Sequence, residues 1–379
     1  MDTLPFDRPH ALEPPPAYAR LRAAAPLTPV RTPDGSTAWL VTSYDAAVNV
    51  LAERRLTLAP PGADTSGNDT LFQDGETHLR LRRLVANAFG PRAIAALVPR
   101  VERVADDLAA AVAASGTDAD LARTLAIPLS ITVIAELLGV APAGLDRFRA
   151  LAEAVSTADF QFGGPEEIER AQRAWTEFGT YAADLVIAKR GAPGADLISA
   201  LPAAPGRISD AEVTAMVATV VSAGYLSAAN AVSVAVLRLL TLDAPVEVGP
   251  AVVEEVLRMQ AGRTGEPFPR YAQQDLRVCG TSIAEGESVL VRLEAVHRDP
   301  AHFPDPDRFL PGRQGSPPLV FGHGPHYCLG AALARAEVAA ALGAVARRLP
   351  GLRLAVPLER VAWATAGTDT GPAEVPVTR

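Results

Sequence analysis

The stretch "FGHGPHYCLG", residues 321–330, decides the reading of this chain, because it sets one of only two cysteines in a glycine-rich turn that runs into an alanine-rich helix. A sulfur just before a helix lies at the positive end of the helix dipole, near backbone N–H groups without helical partners, and this favours thiolate over thiol. Gly322 and Gly324 permit left-handed dihedrals and close backbone approach, while Phe321 and Leu329 supply an apolar wall. One thiolate without a second cysteine or a histidine pair makes a poor zinc site. It suits a single axial bond to a haem iron. The plain alternative is that Cys328 is a small buried hydrophobe at a helix start, the commoner role for a cysteine taken at random.

Downstream of Cys328 the helix "LGAALARAEVAAALGAVARRLP" leads to strand-like "LRLAVP" and a loop containing Trp363. Upstream lies the proline-rich meander "RDPAHFPDPDRFLPGRQGSPPLVFG", and before it "LRVCGTSIAEGESVLVRLEAV", whose alternation around Glu285 and Gly286 predicts a hairpin feeding a short helix. Cys279, inside that hairpin, reads as structural. Near the start, "TAWLVTSYDAAVNVLAE" predicts a strand followed by a helix opened near Ser43. From about Glu76 to Leu240, "HLRLRRLVANAF", "VERVADDLAAAVAAS", "IPLSITVIAELLGV" and "AQRAWTEFGTYAADLVIAKR" each place apolar residues at helical spacing. The expected architecture is mainly α with small β-sheets in a single domain over 1–379. The mixed β region falls mainly in 1–60 and 268–292, and the helical body mainly in 76–260 and 328–350.

One segment, Met216 to Leu237, carries no charge and is long enough to cross a bilayer. Ser222, Gly224, Ser227, Asn230 and Ser233 inside it suit a helix packed on all sides in a protein core, and that is the expected reading. The net charge of -8 argues against nucleic acid as a main partner, because phosphate binding needs a concentrated positive field. Two cysteines do not make a disulfide framework, and "MDTLPFDRPH" lacks the basic and apolar parts of a secretion signal, so the expected location is the cytoplasm, with no membrane contact.

The full string "FGHGPHYCLGAALAR" closely resembles the haem-ligand signature of the cytochrome P450 family, of the soluble bacterial type. The resemblance implies the P450 fold, with haem b between a long central helix and the helix after the cysteine loop. It makes Cys328 the iron ligand and brings Phe321, Gly322 and Gly330 to the haem. In "EEVLR", Glu255 and Arg258 stand three apart on one helix face, upstream of "DPDRF", and the resemblance implies an ion-pair network that Arg308 joins. It also assigns the haem propionates to His78 and Arg82 of "HLRLRR", Arg270 of "FPRYA" and His326. Taken singly, each of these is more often a surface charge or a capped histidine.

The uncharged segment resembles the family's central helix, which typically reads alanine, glycine, any residue, an acid, then threonine. Here "AGYLSA" keeps Ala223 and Gly224, puts Leu226 in the acid's place and Ser227 in the threonine's. These residues would line the oxygen site, and loss of the carboxylate would slow or reroute proton delivery, with the Ser227 hydroxyl taking the threonine's part. The same substitutions resemble the cyclodipeptide-oxidising members, the mycocyclosin synthase type among them. This implies oxidative C–C or C–N coupling of an aromatic cyclodipeptide. The alternatives are hydroxylation or epoxidation of a macrolide, terpenoid or other natural product, and a non-catalytic recruitment domain, against which the intact Cys328 argues. Substrate-contacting regions of the family fall here on Phe160, Phe162, Trp175, Tyr225, Leu226, Phe268, Trp363, Thr365 and Asp369. Dioxygen would be the oxidant. Electrons would come from NAD(P)H through a ferredoxin or flavodoxin and its reductase, drawn to a basic face including Arg335 or the surroundings of Arg80 and Arg83.

Overall fold

The computed structural model describes residues 1–64, 70–156, 165–201, 208–242, 245–260, 268–364 and 370–379. Helices dominate the described residues. In chain order they are α1 (Ala17–Ala24), α2 (Tyr44–Ala52), α3 (Gly75–Ala86), α4 (Pro91–Ser115), α5 (Ile127–Leu138) and α6 (Leu145–Ser156). Then follow α7 (Pro165–Gly191), α8 (Leu197–Ala200), α9 (Asp210–Leu240), α10 (Pro250–Gln260), α11 (Leu293–Val296) and α12 (Ala331–Arg348). The strands are short: β1 (Asp2–Thr3), β2 (Leu27–Arg31), β3 (Thr37–Val41), β4 (Leu56–Thr57), β5 (Asp118–Asp120) and β6 (Arg270–Ala272). The rest are β7 (Leu276–Val278), β8 (Thr281–Ile283), β9 (Ser288–Val291), β10 (Arg353–Leu354) and β11 (Pro376–Thr378). This is the expected mainly α fold with small sheets.

Two compact units make up the chain, each from two segments. The first comprises Met1–Ser66 and Ala244–Ala331, and the second Gly67–Asp243 and Ala332–Arg379. In the first unit a six-stranded sheet runs in the order β1-β2-β3-β9-β6-β4. β2 and β3 pair antiparallel from Leu27 opposite Val41, and β3 pairs parallel with β9 from Ala38 opposite Ser288. Antiparallel pairing with β9 sets Arg270 of β6 opposite Val289. The strand and helix predicted around Ser43 are β3 and α2, and Val41, Val50, Leu51, Val289, Val291, Phe303 and Leu319 share one buried cluster.

The predicted hairpin is corrected in its turn. β7 and β8 pair from Val278 opposite Thr281, and the two residues between them, Cys279 (φ 48) and Gly280 (φ 84), both lie in the left-handed region. That is the turn whose twist matches a two-residue hairpin. Gly286 (φ 82) makes the second bend, which delivers β9 to β3 and β6 rather than back to β8. Two glycine-bearing turns six residues apart offer the same sequence signal, and the sheet decides which one closes a hairpin.

In the second unit α9 packs against α5, α6 and α7. Its start is fixed by a capping box: the Ser209 hydroxyl accepts from Glu212 N–H at 3.1 Å, and the Glu212 carboxylate accepts from Ser209 N–H at 2.7 Å. The helix has a mean hydropathy of 1.7 over its most apolar window and is long enough to cross a membrane, yet 72% of that window is buried within the protein. Burial of most of its surface explains the missing charges. β5, β11 and β10 form a small sheet beside the helices.

Candidate active site

Within the first unit the cysteine loop is held by its own backbone. Gly322 N–H donates to the Leu319 carbonyl at 2.8 Å, Tyr327 N–H to Gly324 at 3.1 Å, and Cys328 N–H to Phe321 at 2.8 Å. Gly322 (φ 75) and Gly324 (φ 72) take left-handed dihedrals. A Cβ on Gly324 would lie 2.6 Å from the Leu51 carbonyl oxygen, so this glycine is required twice over. Gly324→Ala should therefore unseat the loop from α2, adding backbone strain of about 1–2 kcal/mol to the clash. A lower haem content at unchanged helicity is the expected readout, and full occupancy would contradict it.

The Cys328 thiol is exposed, three residues ahead of α12. His326 closes a single 3-10 turn, Gly324–His326, and is half-buried. Arg270 is 4% exposed on β6, where its guanidinium donates to the Phe268 carbonyl at 3.0 Å.

A buried network supports this loop from α10. Arg258 is 1% exposed and grips Glu255 through Nε and Nη2 at 2.8 and 2.9 Å. The third member is Arg313, whose Nε donates to Glu255 at 2.9 Å. The expectation for Arg308 is corrected: its side chain is exposed and 3.7 Å from Asp305, and only its carbonyl reaches the network, accepting from Arg313 at 2.6 Å. The meander turns at Asp305, which has φ 47, and beyond that turn the Arg308 side chain is exposed and the Arg313 side chain largely covered. Burial alone would raise the Glu255 pKa, but hydrogen bonds from Arg258, Leu310 N–H and Arg313 hold it below the usual carboxylate value. Arg258 also donates to the His297 carbonyl at 2.7 Å, and His297 Nε2 accepts from Leu319 N–H at 2.7 Å. Full burial, with the charges of Arg258 and Arg298, lowers the His297 pKa to about 3, so the ring is neutral and can accept. The chain Glu255–Arg258–His297–Leu319 thus reaches the residue on which the cysteine loop turns. Sequence reasoning missed Arg313 and His297; the apolar neighbours of His297 in "LEAVH" were the available signal.

In the second unit, His78 (1% exposed) and the half-buried Arg82 stand one turn apart on α3. Arg80 is committed to an ion pair with Glu212 at the start of α9, whereas Arg83 is exposed. On α9, Ala223, Leu226 and Ser227 share a face by helical spacing, Ala223 exposed and the other two half-buried. The Ser227 hydroxyl donates to the Ala223 carbonyl at 2.6 Å. Gly224 turns toward α5 instead: a Cβ there would sit 2.9 Å from Ile134 Cδ1, so its smallness serves helix packing. Tyr225, expected among the substrate contacts, is 2% exposed, and burial, then the charge of Glu153 on α6, raises the pKa of its hydroxyl against the opposing charge of Arg149. It belongs to the core. Trp175 is half-buried on α7, and Phe268 is 47% exposed. Phe160, Phe162, Thr365 and Asp369 lie outside the described residues.

The donor set fits a haem. Cys328 offers one accessible sulfur, Gly330 leaves open space where a Cβ would stand, and among the described residues no group of three or more His, Cys, Asp or Glu could hold an ion instead. Arg270 and His78 are buried N–H donors of the kind that hold carboxylates. A family model for Cytochrome P450 matches residues 246–349. The chain is 38% identical to Nocardicin C N-oxygenase of Nocardia uniformis subsp. tsuyamanensis, over 99% of this chain and 98% of that relative.

The chain belongs to the cytochrome P450 family. This P450 is also 37% identical to Mycinamicin IV hydroxylase/epoxidase of Micromonospora griseorubida, over 98% of this chain and 97% of that one. The crystal structure of the LnmA cytochrome P450 hydroxylase from the leinamycin biosynthetic pathway of Streptomyces atroolivaceus matches it with a TM-score of 0.89 at 35% identity, covering 100% of both chains. The P450 is an oxidoreductase of the monooxygenase class, with haem b as prosthetic group, dioxygen as oxidant and electrons that originate in NAD(P)H.

Proposed function

We propose that this P450 hydroxylates or epoxidises a natural product of the macrolide class or one of similar size, in bacterial secondary metabolism, and that Cys328 is the residue whose thiolate would bind the haem iron. The observation that carries the reading is the accessible Cys328 in its glycine-held loop, in a chain similar end to end to a hydroxylase/epoxidase of mycinamicin IV. This favours oxygen insertion over the oxidative coupling of a cyclodipeptide, for which the "AGYLSA" stretch is the sole support.

Haem, when bound, supplies the oxidising power, delivering one atom of dioxygen to substrate and the other to water with two electrons and two protons. The chain's own residues do the rest. Arg270, His326, His78 and Arg82 would hold the two propionates of a bound haem. Ala223 leaves space beside α9, and Leu226 keeps that face apolar. The Ser227 hydroxyl has its proton directed to the Ala223 carbonyl, which leaves its oxygen lone pairs to accept from a bound molecule and hold a proton in transit. Phe268, exposed next to Arg270, offers an apolar contact to substrate. The electron donor is a ferredoxin or flavodoxin served by its reductase, approaching Arg83 and Arg335, since Arg80 is already paired. Neither cysteine is in a disulfide, in keeping with a cytoplasmic location.

An optical titration of the ferric protein tests the substrate class. Macrolides should shift the haem Soret band and aromatic cyclodipeptides should not. A response confined to the cyclodipeptides would overturn the proposal in favour of coupling.

A further inference from the structure

The buried stripe of α12 carries a carboxyl group that the chemistry above leaves unused. Glu337 is 2% exposed, four residues after the buried Leu333 and nine after Cys328. Its carboxyl lies beside Ser130 of α5, which is 0% exposed. The Ser130 hydroxyl in turn donates to the Tyr225 carbonyl of α9 at 2.8 Å. A serine hydroxyl has one proton to give, and a carbonyl can only accept. With that proton spent on Tyr225, Ser130 Oγ has only lone pairs to offer the neighbouring Glu337, so a bond between the two takes its proton from the carboxyl.

We propose that Glu337 is a neutral carboxylic acid in the folded protein, donating to Ser130 Oγ and, through the Ser130–Tyr225 bond, positioning the turn of α9 that carries Ala223, Leu226 and Ser227. Glu337 is a positioning residue: it acts on that turn through Ser130. Three further observations agree. Its Oε2 is buried without a hydrogen-bond partner among the described residues, which a neutral carbonyl oxygen tolerates far better than a carboxylate. Ile134, one turn after Ser130 on α5, presses against Gly224, so the same face of α5 grips α9 at two neighbouring residues. Burial raises the Glu337 pKa to about 8, against the opposing effect of the Ser130 hydroxyl.

The charges on the surrounding helices are engaged elsewhere. Glu136 of α5 pairs with Arg100 of α4, Arg347 and Arg348 of α12 with Asp106 of α4, and Asp210 and Glu212 of α9 with Arg190 and Arg80. Neither these nor Arg335, Arg238, Arg149 or Glu153 contribute to the ionisation of Glu337.

Infrared spectroscopy of the haem-loaded protein tests the protonation state. At pH 7 a protonated-carboxyl stretch should be present, should vanish in Glu337→Gln, and should give way to carboxylate as pH rises past about 8. Absence of that band at pH 7 would overturn the proposal. The positioning role is read from the carbon monoxide stretch of the ferrous complex, which senses the distal helix. Glu337→Gln, whose amide can still donate to Ser130, should leave the frequency in place. Glu337→Met and Ser130→Ala should shift it alike, and the double variant should add nothing to either. Should Glu337→Met not fold, Ser130→Ala decides alone, and an unmoved frequency overturns the role. Stability gives a further arm. Between the ordinary carboxylate range and about pH 8 only the unfolded chain has released this proton, so the native protein loses stability as pH rises. Glu337→Gln should flatten that slope, and an unchanged slope would contradict the assignment.

Discussion

Cys328→Ala should abolish the thiolate signature of the ferrous carbon monoxide complex completely, while far-ultraviolet circular dichroism stays that of the parent. The loss is total because a methyl side chain offers no bond to the iron. The fold survives because the thiol is exposed, and changes at exposed positions away from caps and networks usually fall within about 0.5 kcal/mol. Cys279→Ser is the control. That cysteine is also exposed but sits in the β7–β8 turn with φ 48, and its replacement should leave the spectrum unchanged. If Cys328→Ala kept the parent spectrum, Cys328 would not be the axial ligand and the functional reading would fall with it.

The second large effect is on stability. Glu255→Gln should destabilise the protein by about 3–5 kcal/mol, because it leaves the buried guanidinium of Arg258 and the partly covered one of Arg313 beside a neutral amide. Arg258 is 1% exposed and cannot turn to water, and Arg313 is held by the same carboxylate. Urea unfolding of the two proteins measures the difference directly. Arg308→Ala, by contrast, removes an exposed side chain and should cost no more than about 0.5 kcal/mol. Equal losses at 308 and 255 would show that the network has been assigned to the wrong arginine. The pH dependence has a definite sign: Glu255 is held below its unfolded value, so its contribution is present above the ordinary carboxylate range and is lost as pH falls through its lowered pKa. Glu255→Gln should lack that acid-side fall.

The features legible in the sequence were those with a local signature. The glycines around Cys328 announced a left-handed turn before a helix, and Gly322 and Gly324 take those dihedrals. The missing charges of Met216–Leu237 announced a core helix, and the capping box at Ser209 marks its start. The pair Glu255 and Arg258 stood at helical spacing, which taken alone reads as a solvated surface pair, and the resemblance around "EEVLR" made it a buried network. What stayed hidden depended on chain segments that have no period. Arg308 and Arg313 both lie in the proline-rich meander, where no period tells which side chain turns inward to Glu255. The hairpin turn at Cys279 competed with an equally good signal at Glu285 and Gly286. Glu337 was overlooked because a glutamate in an alanine-rich helix reads as a solvated charge. Its place four residues after Leu333, on the apolar stripe, was the clue.

The composition of each unit from two distant segments bears on how the protein is made. On the ribosome, β3 emerges early and must wait for its parallel neighbour β9, about two-thirds of the chain later. Likewise β5 stays unpaired until β11 emerges at the very end. Such pairings between distant residues close slowly and leave strand edges open meanwhile. A nascent chain stalled before residue 376 would present the edge of β5 to its neighbours, so output of this protein in a foreign host should be limited by chaperone supply and growth temperature more than by message level.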